Sequence, residues 1–512
     1  MLFRDHISVM PFKQWLWKNK ENRPYLLVSA MVILIQFIVF KYLYPFPNFF
    51  TDSYSYLEAA FNNHAINIWP VGYSKFLRLF SCFTNSHTVL VLFQYVFLQA
   101  STLYFLFSVS YLLSPGKWVL RILLCCSVLN PLLLYVSNFV SGDALFTALS
   151  LVWFTQLLWI LYRPGRRLLV LHAVVLLLVF MVRYNALYYP FISMAVIVFS
   201  PSRSRMKLVN IGFILLLLGA FVGRTQYQYH KTTGTVQFSA FGGWQMAANA
   251  LYAYAQTPPD APEMVPAKFR ALHTIVNRHM DSLSRAPNRP GNMPGIYYLW
   301  DEKAPLKKYL QQRWVHDSTT GFFKRWASMG PLYFDYGCYL IKRHPGSFIR
   351  HYVWPNLIHY YVPETEFLNT YNTDTLEPMA VSWFALKSNK VRTHYSGTRI
   401  IITGYFPVAL AVINLVFVLG FIGFALLAGF QNCSSYARSV LWFFLFTWSA
   451  NIGFSVLASP IVLRYQLFPM ITTLAFGALM IAFIVQQSRL KEYPVTRNQD
   501  IMQAVANAPV QL

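Results

Sequence analysis

Charged residues are scarce in this 512-residue chain: Asp, Glu, Lys and Arg make up 12% of it, about half the share of an ordinary soluble domain. With 56% hydrophobic and 18% aromatic residues, that shortage excludes a soluble globular fold and points to a membrane protein. Acids are scarcer still, 18 against 42 Lys plus Arg, for a net charge of +24. In a soluble chain such a surplus would suggest nucleic acid; in a membrane chain it is first a topology signal, and no nucleic acid partner is expected. Cysteine is sparse and unpatterned: Cys82, Cys125, Cys126, Cys338 and Cys433 show no metal-ligand spacing and no even framework, and read as small apolar residues. The twelve histidines form no HExxH motif, and there is no Walker-type loop, GxGxxG motif or nucleophile elbow. Internal repeats and low-complexity tracts are missing too.

Long apolar runs, by contrast, abound. A helix needs about 20 mostly apolar residues to cross the hydrocarbon core, and ten stretches qualify: 24–44, 88–113, 118–139, 144–162, 168–183, 186–200, 207–223, 402–429, 438–459 and 463–487, the fifth and sixth being short. An even number puts both termini on one side. The N-terminal segment, the tail and the short connections on their side hold seventeen basic residues, including Arg4, Lys13, Arg23, Lys117, Arg167, Arg205, Lys491 and Arg497, whereas the opposite short connections hold four, Lys75, Arg78, Arg183 and Arg464. The positive-inside rule therefore predicts cytoplasmic termini. Residues 1–23 are basic and carry no cleavage site, so they do not read as a removed signal peptide; Phe12, Trp15 and Trp17 suggest a piece lying on the inner leaflet. His172 falls mid-span and reads as a packed core histidine.

Two outer connections are too long to be turns, a first outer loop at 45–87 and a domain at 224–401. The fold class expected is thus an all-α polytopic membrane protein: an N-terminal membrane module over 24–223, the outer-face domain, C-terminal spans over 402–487 and a cytoplasmic tail at 488–512. Residues 224–400 hold 20 of the basic and 11 of the acidic residues, a soluble-like mixture with recurring aromatics and Pro-rich punctuation at PPDAP and RAPNRPGNMPG, which predicts a small, mainly helical domain. Its end, YLIKRHPGSFIRHYVWPNLIHYYVPE, looks amphipathic, with Trp354, Tyr360 and Tyr361 as interface anchors and His351 and His359 at the surface.

Outside that domain only three acids lie toward the outer face: Asp52, Glu58 and Asp143. Asp52, in TDSYSYLEAAF, either belongs to a helix start, with Thr51 or Asp52 as N-cap and Ser55 and Glu58 as a capping box, or stands just above the bilayer as a general base for a lipid-linked substrate. At 100° per residue Tyr56 shares its face and Glu58 does not. Asp143, in SGDALF, either complements the dipole of the fourth span's N-terminus or approaches Asp52; the two could then hold a divalent cation such as Mg or Mn or bind substrate hydroxyls. Arg183 in RYNALYYPF and Arg464 in LRYQLFP sit at outer span ends, either as snorkelling residues or as ligands for a lipid phosphate. His64 is a possible assistant in the first loop.

These four segments resemble the GT-C class of membrane glycosyltransferases, which includes polyprenyl-phosphate-dependent protein mannosyltransferases and the aminoarabinose transferases of lipid A. TDSYSYLEAA followed by WPVGYSKFL is similar to that class's acidic first-loop motif and the segment after it, SGDALF to its second acidic position, RYNALYYPF to an Arg-aromatic span end, and LRYQLFP to an Arg-Tyr entry to a late span. The resemblance covers most of the chain in topology, on short motifs. It implies Asp52 as the catalytic carboxylate, Asp143 as a supporting acid, and Arg464, Arg183 and Tyr465 around the donor phosphate, with Tyr56 and His64 as assistants. The first loop departs from the class in carrying a single Asp where an acidic pair is usual, which leaves metal dependence open. Implied too are an inverting transfer from a polyprenyl-phosphate sugar to a lipid, glycan or protein acceptor, membrane lipids as partners, and an outer-face site in a bacterial inner membrane. Rival expectations are a lipid-linked glycan ligase or polymerase, a transporter or flippase, which usually shows repeats and midplane charges, and a non-enzymatic scaffold.

Overall fold

Within hydrocarbon every backbone N–H and C=O must be satisfied inside its own segment, so the apolar runs of this chain form helices. The structure, a computed structural model, describes residues 10–285, 295–317, 319–372, 375–391, 393–394 and 399–506, with side chains up to Arg489. Arg4, part of the second Pro-rich stretch and the side chains of Lys491 and Arg497 lie outside the described residues. In chain order the helices are α1 (Phe12–Lys18), α2 (Asn22–Leu43), α3 (Thr51–Phe61), α4 (Gly72–Ser81), α5 (His87–Leu113), α6 (Lys117–Val128), α7 (Pro131–Ser137), α8 (Gly142–Tyr162), α9 (Arg166–Val182), α10 (Tyr189–Phe199) and α11 (Ser204–Thr233). Beyond these come α12 (Ala240–Tyr254), α13 (Arg270–Ser284), α14 (Tyr297–Trp300), α15 (Pro305–Arg313), α16 (Phe322–Ser328), α17 (Gly330–Arg343), α18 (Pro345–Phe348), α19 (Trp354–Tyr361) and α20 (Pro378–Trp383). The last four are α21 (Phe406–Leu426), α22 (Gly429–Asn432), α23 (Ser435–Ala458) and α24 (Leu467–Ala506). Among the described residues, pairing outside helices is limited to isolated bridges.

Among the described residues, eight helical segments are long and apolar enough to cross a membrane: Asn22–Leu43, His87–Leu113, Lys117–Ser137, Gly142–Tyr162, Ser204–Thr233, Ile402–Leu426, Ser435–Ala458 and Leu463–Arg489. The two short runs anticipated in the sequence fall below that length. α9 has 17 residues, about 25 Å at 1.5 Å per residue, and ends where Arg183 turns extended and a 3₁₀ turn, Tyr184–Tyr188, leads into α10. α8 is buried almost all round at the centre, whereas α2, α11 and α21 expose Ile38, Leu216 and Leu415 on faces that a bilayer would cover. Pro131 separates α6 from α7, where the Asn130 side chain accepts the Leu132 N–H.

α1 is held more firmly than a helix resting on a leaflet. Phe12 and Trp15 pack against Tyr111, and Phe12 also meets Trp159, at the far end of α8 from Asp143; Trp17 alone of its three aromatics is exposed. α11 does not stop at the membrane boundary near 223 but runs to Thr233, because nothing breaks it before Gly234, whose φ of +74° supplies the left-handed cap.

The helices between α11 and α18 build a second core from Trp244, Tyr254, Phe269, Tyr298, Trp326 and Tyr333. Part of the segment between 363 and 400, although grouped with this domain by sequence, packs on the membrane module instead, Tyr371, Leu376 and Phe384 joining its core. Along the amphipathic stretch a single π turn, Ile349–Val353, adds a residue that keeps Ile349, Trp354, Ile358 and Val362 exposed on one face. Tyr360 is not an anchor as anticipated: it is buried and its hydroxyl donates to Asn451 Oδ1 at 2.8 Å. His172 is likewise buried, its ring nitrogens within 3.1 and 3.2 Å of Ser193 Oγ and Gln156 Oε1.

Candidate active site

Four joints bring distant segments to one end of the bundle. Asn48 forms a parallel bridge with Phe139, its N–H donating to Asn138 O at 2.8 Å while Val140 N–H donates to Asn48 O at 3.1 Å; this pins the start of α3 beside the start of α8. The segment that returns before α21 clamps the same loop, through Asn48 Nδ2 to Thr370 O and Phe49 N–H to Asn372 Oδ1, both 2.8 Å. Leu463 N–H donates to Glu364 O at 2.8 Å and sets the entry to α24 against that segment. Finally Gly72, having no Cβ, lets α4 lie directly on the backbone of Met181 and Val182, next to Arg183.

Asp52 is not the N-cap of α3. Phe50 holds that position in extended backbone, and Ser53 Oγ accepts its N–H at 3.2 Å. Thr51 is exposed and Ser55 bonds to Asn67, so neither caps the helix. Asp52 falls in the first turn, where the dipole favours an anion, and its side chain is 19% exposed. Glu58 points to solvent on another face. Asp143 also lies in a first turn, that of α8, but its carboxylate does more than complement a dipole. It is 3% exposed and ion-paired to Arg183, accepts a hydrogen bond from Ser141 Oγ at 2.9 Å, and lies 3.4 Å from Arg464 Nη1.

Arg464 stands at the centre. Its Nε donates to Glu366 Oε2 at 2.8 Å, and its Nη1 is 3.4 Å from Asp143 and 3.9 Å from Asp52. The Tyr465 ring lies between the two arginines, 4.6 Å from the guanidinium carbon of Arg183 and 4.7 Å from that of Arg464; Phe50 faces Arg464 at 5.0 Å and stacks on Phe367 at 5.2 Å. A narrow cleft opens here, lined in part by Phe50, Phe139, Ser141, Asp143, Phe367 and Arg464. Burial raises the Asp52 carboxyl to about 6, with Arg464 and Arg183 pulling it back down. Such a group is poised to take up a proton near neutral pH.

Asp52, Asp143, Arg183, Arg464 and Tyr465, singled out from five positions in the sequence, thus share one site. Tyr56 is buried one turn below Asp52 and meets Tyr73 edge-on at 5.1 Å, which itself donates to Gln94; it supports the site from beneath. His64 does not join it: the residue is exposed beyond the C-terminus of α3, roughly three turns from Asp52, because the helix ends before it and carries it away. Glu366 was missed. It is one acid among eleven in the long outer segment, and nothing local marks it except the conformation revealed by the fold, a φ of +49° that is strained for a non-glycine residue. A divalent cation fits poorly. The Arg464 guanidinium already stands among the three carboxylates, and among the described residues no group of three or more His, Cys, Asp or Glu side chains is placed to hold a metal.

An all-α membrane protein with a buried acid–arginine cluster at one end of its bundle is the class these observations define. No protein-family model, curated protein or solved structure matches the chain.

Proposed function

We propose that this protein is a membrane glycosyltransferase that moves a sugar from a polyprenyl-phosphate donor to an acceptor hydroxyl, with inversion. The observation that carries this reading is the convergence of Asp52, Asp143, Arg183 and Arg464 from four distant parts of the chain, since helix-capping acids and snorkelling arginines have no reason to meet. In this reading the chain crosses a bacterial inner membrane ten times, α9 and the short Tyr184–Phe199 unit included, with both termini in the cytoplasm and the site on the outer face.

Asp52 takes the proton of the acceptor hydroxyl. The acceptor oxygen bonds to the anomeric carbon as the bond to the phosphate oxygen breaks, through an oxocarbenium-like transition state, and the electron pair leaves with the lipid phosphate. Arg464, with Arg183 behind it, stabilises that leaving charge, and Asp143 holds both guanidinia in place. For the donor phosphate to reach Arg464, the carboxylate of Glu366 gives way.

Incubating the purified chain in nanodiscs with a panel of radiolabelled polyprenyl-phosphate sugars and a membrane lipid extract is expected to release sugar-free polyprenyl phosphate and label an acceptor. No consumption of any donor would overturn the reading, and consumption of a glycan-bearing donor alone would favour the ligase. Two further results are expected. Because only ionised Asp52 accepts the proton, transfer falls with its ionised fraction as pH drops below about 6; a rate flat from pH 7 to 5 contradicts it. Glu366→Gln, which removes the anion competing for Arg464, lowers the donor KM by about three- to tenfold with kcat little changed, and a raised KM would show that Glu366 assists binding.

A further inference from the structure

A second, narrow cleft lies on the flank of the membrane module, lined in part by Trp69, Val71, Phe180, Phe221, Thr225 and Phe238. Its aromatic rings pack on one another, Phe180 against Phe221 and Phe238 at 6.1 and 5.9 Å. Along α9 and α11 from its lining residues Phe180 and Phe221, Leu178 and Leu216 are exposed. The cleft is therefore continuous with surface that a bilayer covers.

Cations neighbour its lining residues along α4 and α11. Lys75 lies one turn above Val71, its N–H donating to Val71 O at 2.9 Å, and Arg78 follows one turn later. Arg224 sits on α11 between Phe221 and Thr225, exposed, just where the lipid-facing run of that helix ends. The Lys75 ammonium is held below its ordinary pKa by partial burial and by Arg78 and Arg224 close to it. Lys75 Nζ donates to Asn63 Oδ1 at 2.7 Å, and Arg78 Nη1 to Ala60 O and Phe61 O at 3.0 and 3.1 Å, so both also cap the C-terminus of α3. None of the three cations pairs with a carboxylate among the described residues. Lys75, repelled by both Arg78 and Arg224, and the aromatic slot next to it lack one component, an anion carrying an apolar chain.

We propose that this cleft binds an anionic phospholipid, the phosphate seated on Lys75, Arg78 and Arg224 and the start of an acyl chain lying in the aromatic slot. The site is separate from the acid–arginine cluster: Lys75 and Arg78 cap the end of α3 opposite Asp52, roughly 15 Å along the helix, beyond the span of one sugar between a donor phosphate and its base. The proposal accordingly stands whether or not the chain transfers sugar.

The test is native mass spectrometry of the full chain in detergent, titrated with phosphatidylglycerol, phosphatidylcholine and a polyprenyl phosphate. Phosphatidylglycerol is expected to bind about tenfold tighter than phosphatidylcholine, and K75Q/R78Q/R224Q to abolish the preference. Since two of those residues cap α3, Arg224→Gln, which touches no capping contact, is measured as well and should weaken phosphatidylglycerol by about threefold with an unchanged melting profile. Equal binding of the two phospholipids, or a preference that survives both variants, overturns the proposal. Polyprenyl phosphate displacing phosphatidylglycerol in a manner sensitive to Arg224→Gln would assign the site to an isoprenoid lipid instead.

Discussion

Asp52→Asn is expected to lower sugar transfer by about 10²–10⁴-fold, the range general-base catalysis supplies, while the yield of folded protein stays at the wild-type level. The two halves of that expectation have separate physical grounds. Asp52 is the loosest partner of Arg464, at 3.9 Å, and the guanidinium keeps Asp143 at 3.4 Å and Glu366 at 2.8 Å when the charge is removed. Burial already disfavours the ionised form, raising the carboxyl to about 6; the folded state thus loses relative stability as pH rises from the ordinary carboxylate range toward 6, and a neutral amide of the same shape removes that penalty. Initial transfer rates and a melting curve of the same preparation check both halves. An active Asp52→Asn protein would remove the base from the mechanism, and an inactive one that also melts early would leave Asp52 as a structural group. His64→Ala, at an exposed position outside the site, serves as the control with unchanged rate.

Asp143→Ala acts on stability. Asp143 is the single ion-pair partner of Arg183 among the described residues, and it shares Arg464 with two other carboxylates. Its removal leaves Arg183, 12% exposed, without an ion pair among the described residues, with the Tyr465 ring at 4.6 Å and Asp52 farther off, and strips one of three anions from Arg464. Breaking a buried pair from one side costs about 3–5 kcal/mol, because the other charge stays buried without compensation. The expected outcome is a sharply lower melting temperature in nanodiscs and poor recovery of folded protein. Arg183→Met on the same background should restore part of the loss, since the stranded charge goes with it. A melting temperature unchanged by Asp143→Ala would mean that the cluster does not hold α8, α9 and α24 together.

Much of this site was legible from charge alone. Where acids are so rare, each one near the end of an apolar run is conspicuous, and Asp52, Asp143, Arg183 and Arg464 stand out because keeping a charge beside such runs is expensive without a partner. Glu366 had no such contrast: it lies in a segment whose composition is that of a soluble domain, where an acid needs no explanation. Local rules also misplaced the helix start, for Thr51 and Asp52 are better N-caps than Phe50 by propensity, yet Phe50 takes the position because its ring is stacked on Phe367 and its N–H is met by Ser53.

Composition and the spacing of apolar runs by themselves determined that this is a helical membrane protein, since the cost of burying an unpaired backbone group in lipid leaves no other way to hide those runs. Which charges meet was decided by tertiary structure alone. The Asn48–Phe139 and Glu364–Val462 bridges, and the close approach that Gly72 allows, join residues scattered from 48 to 462, and pairings over such separations depend on how whole helices pack, which no local pattern encodes.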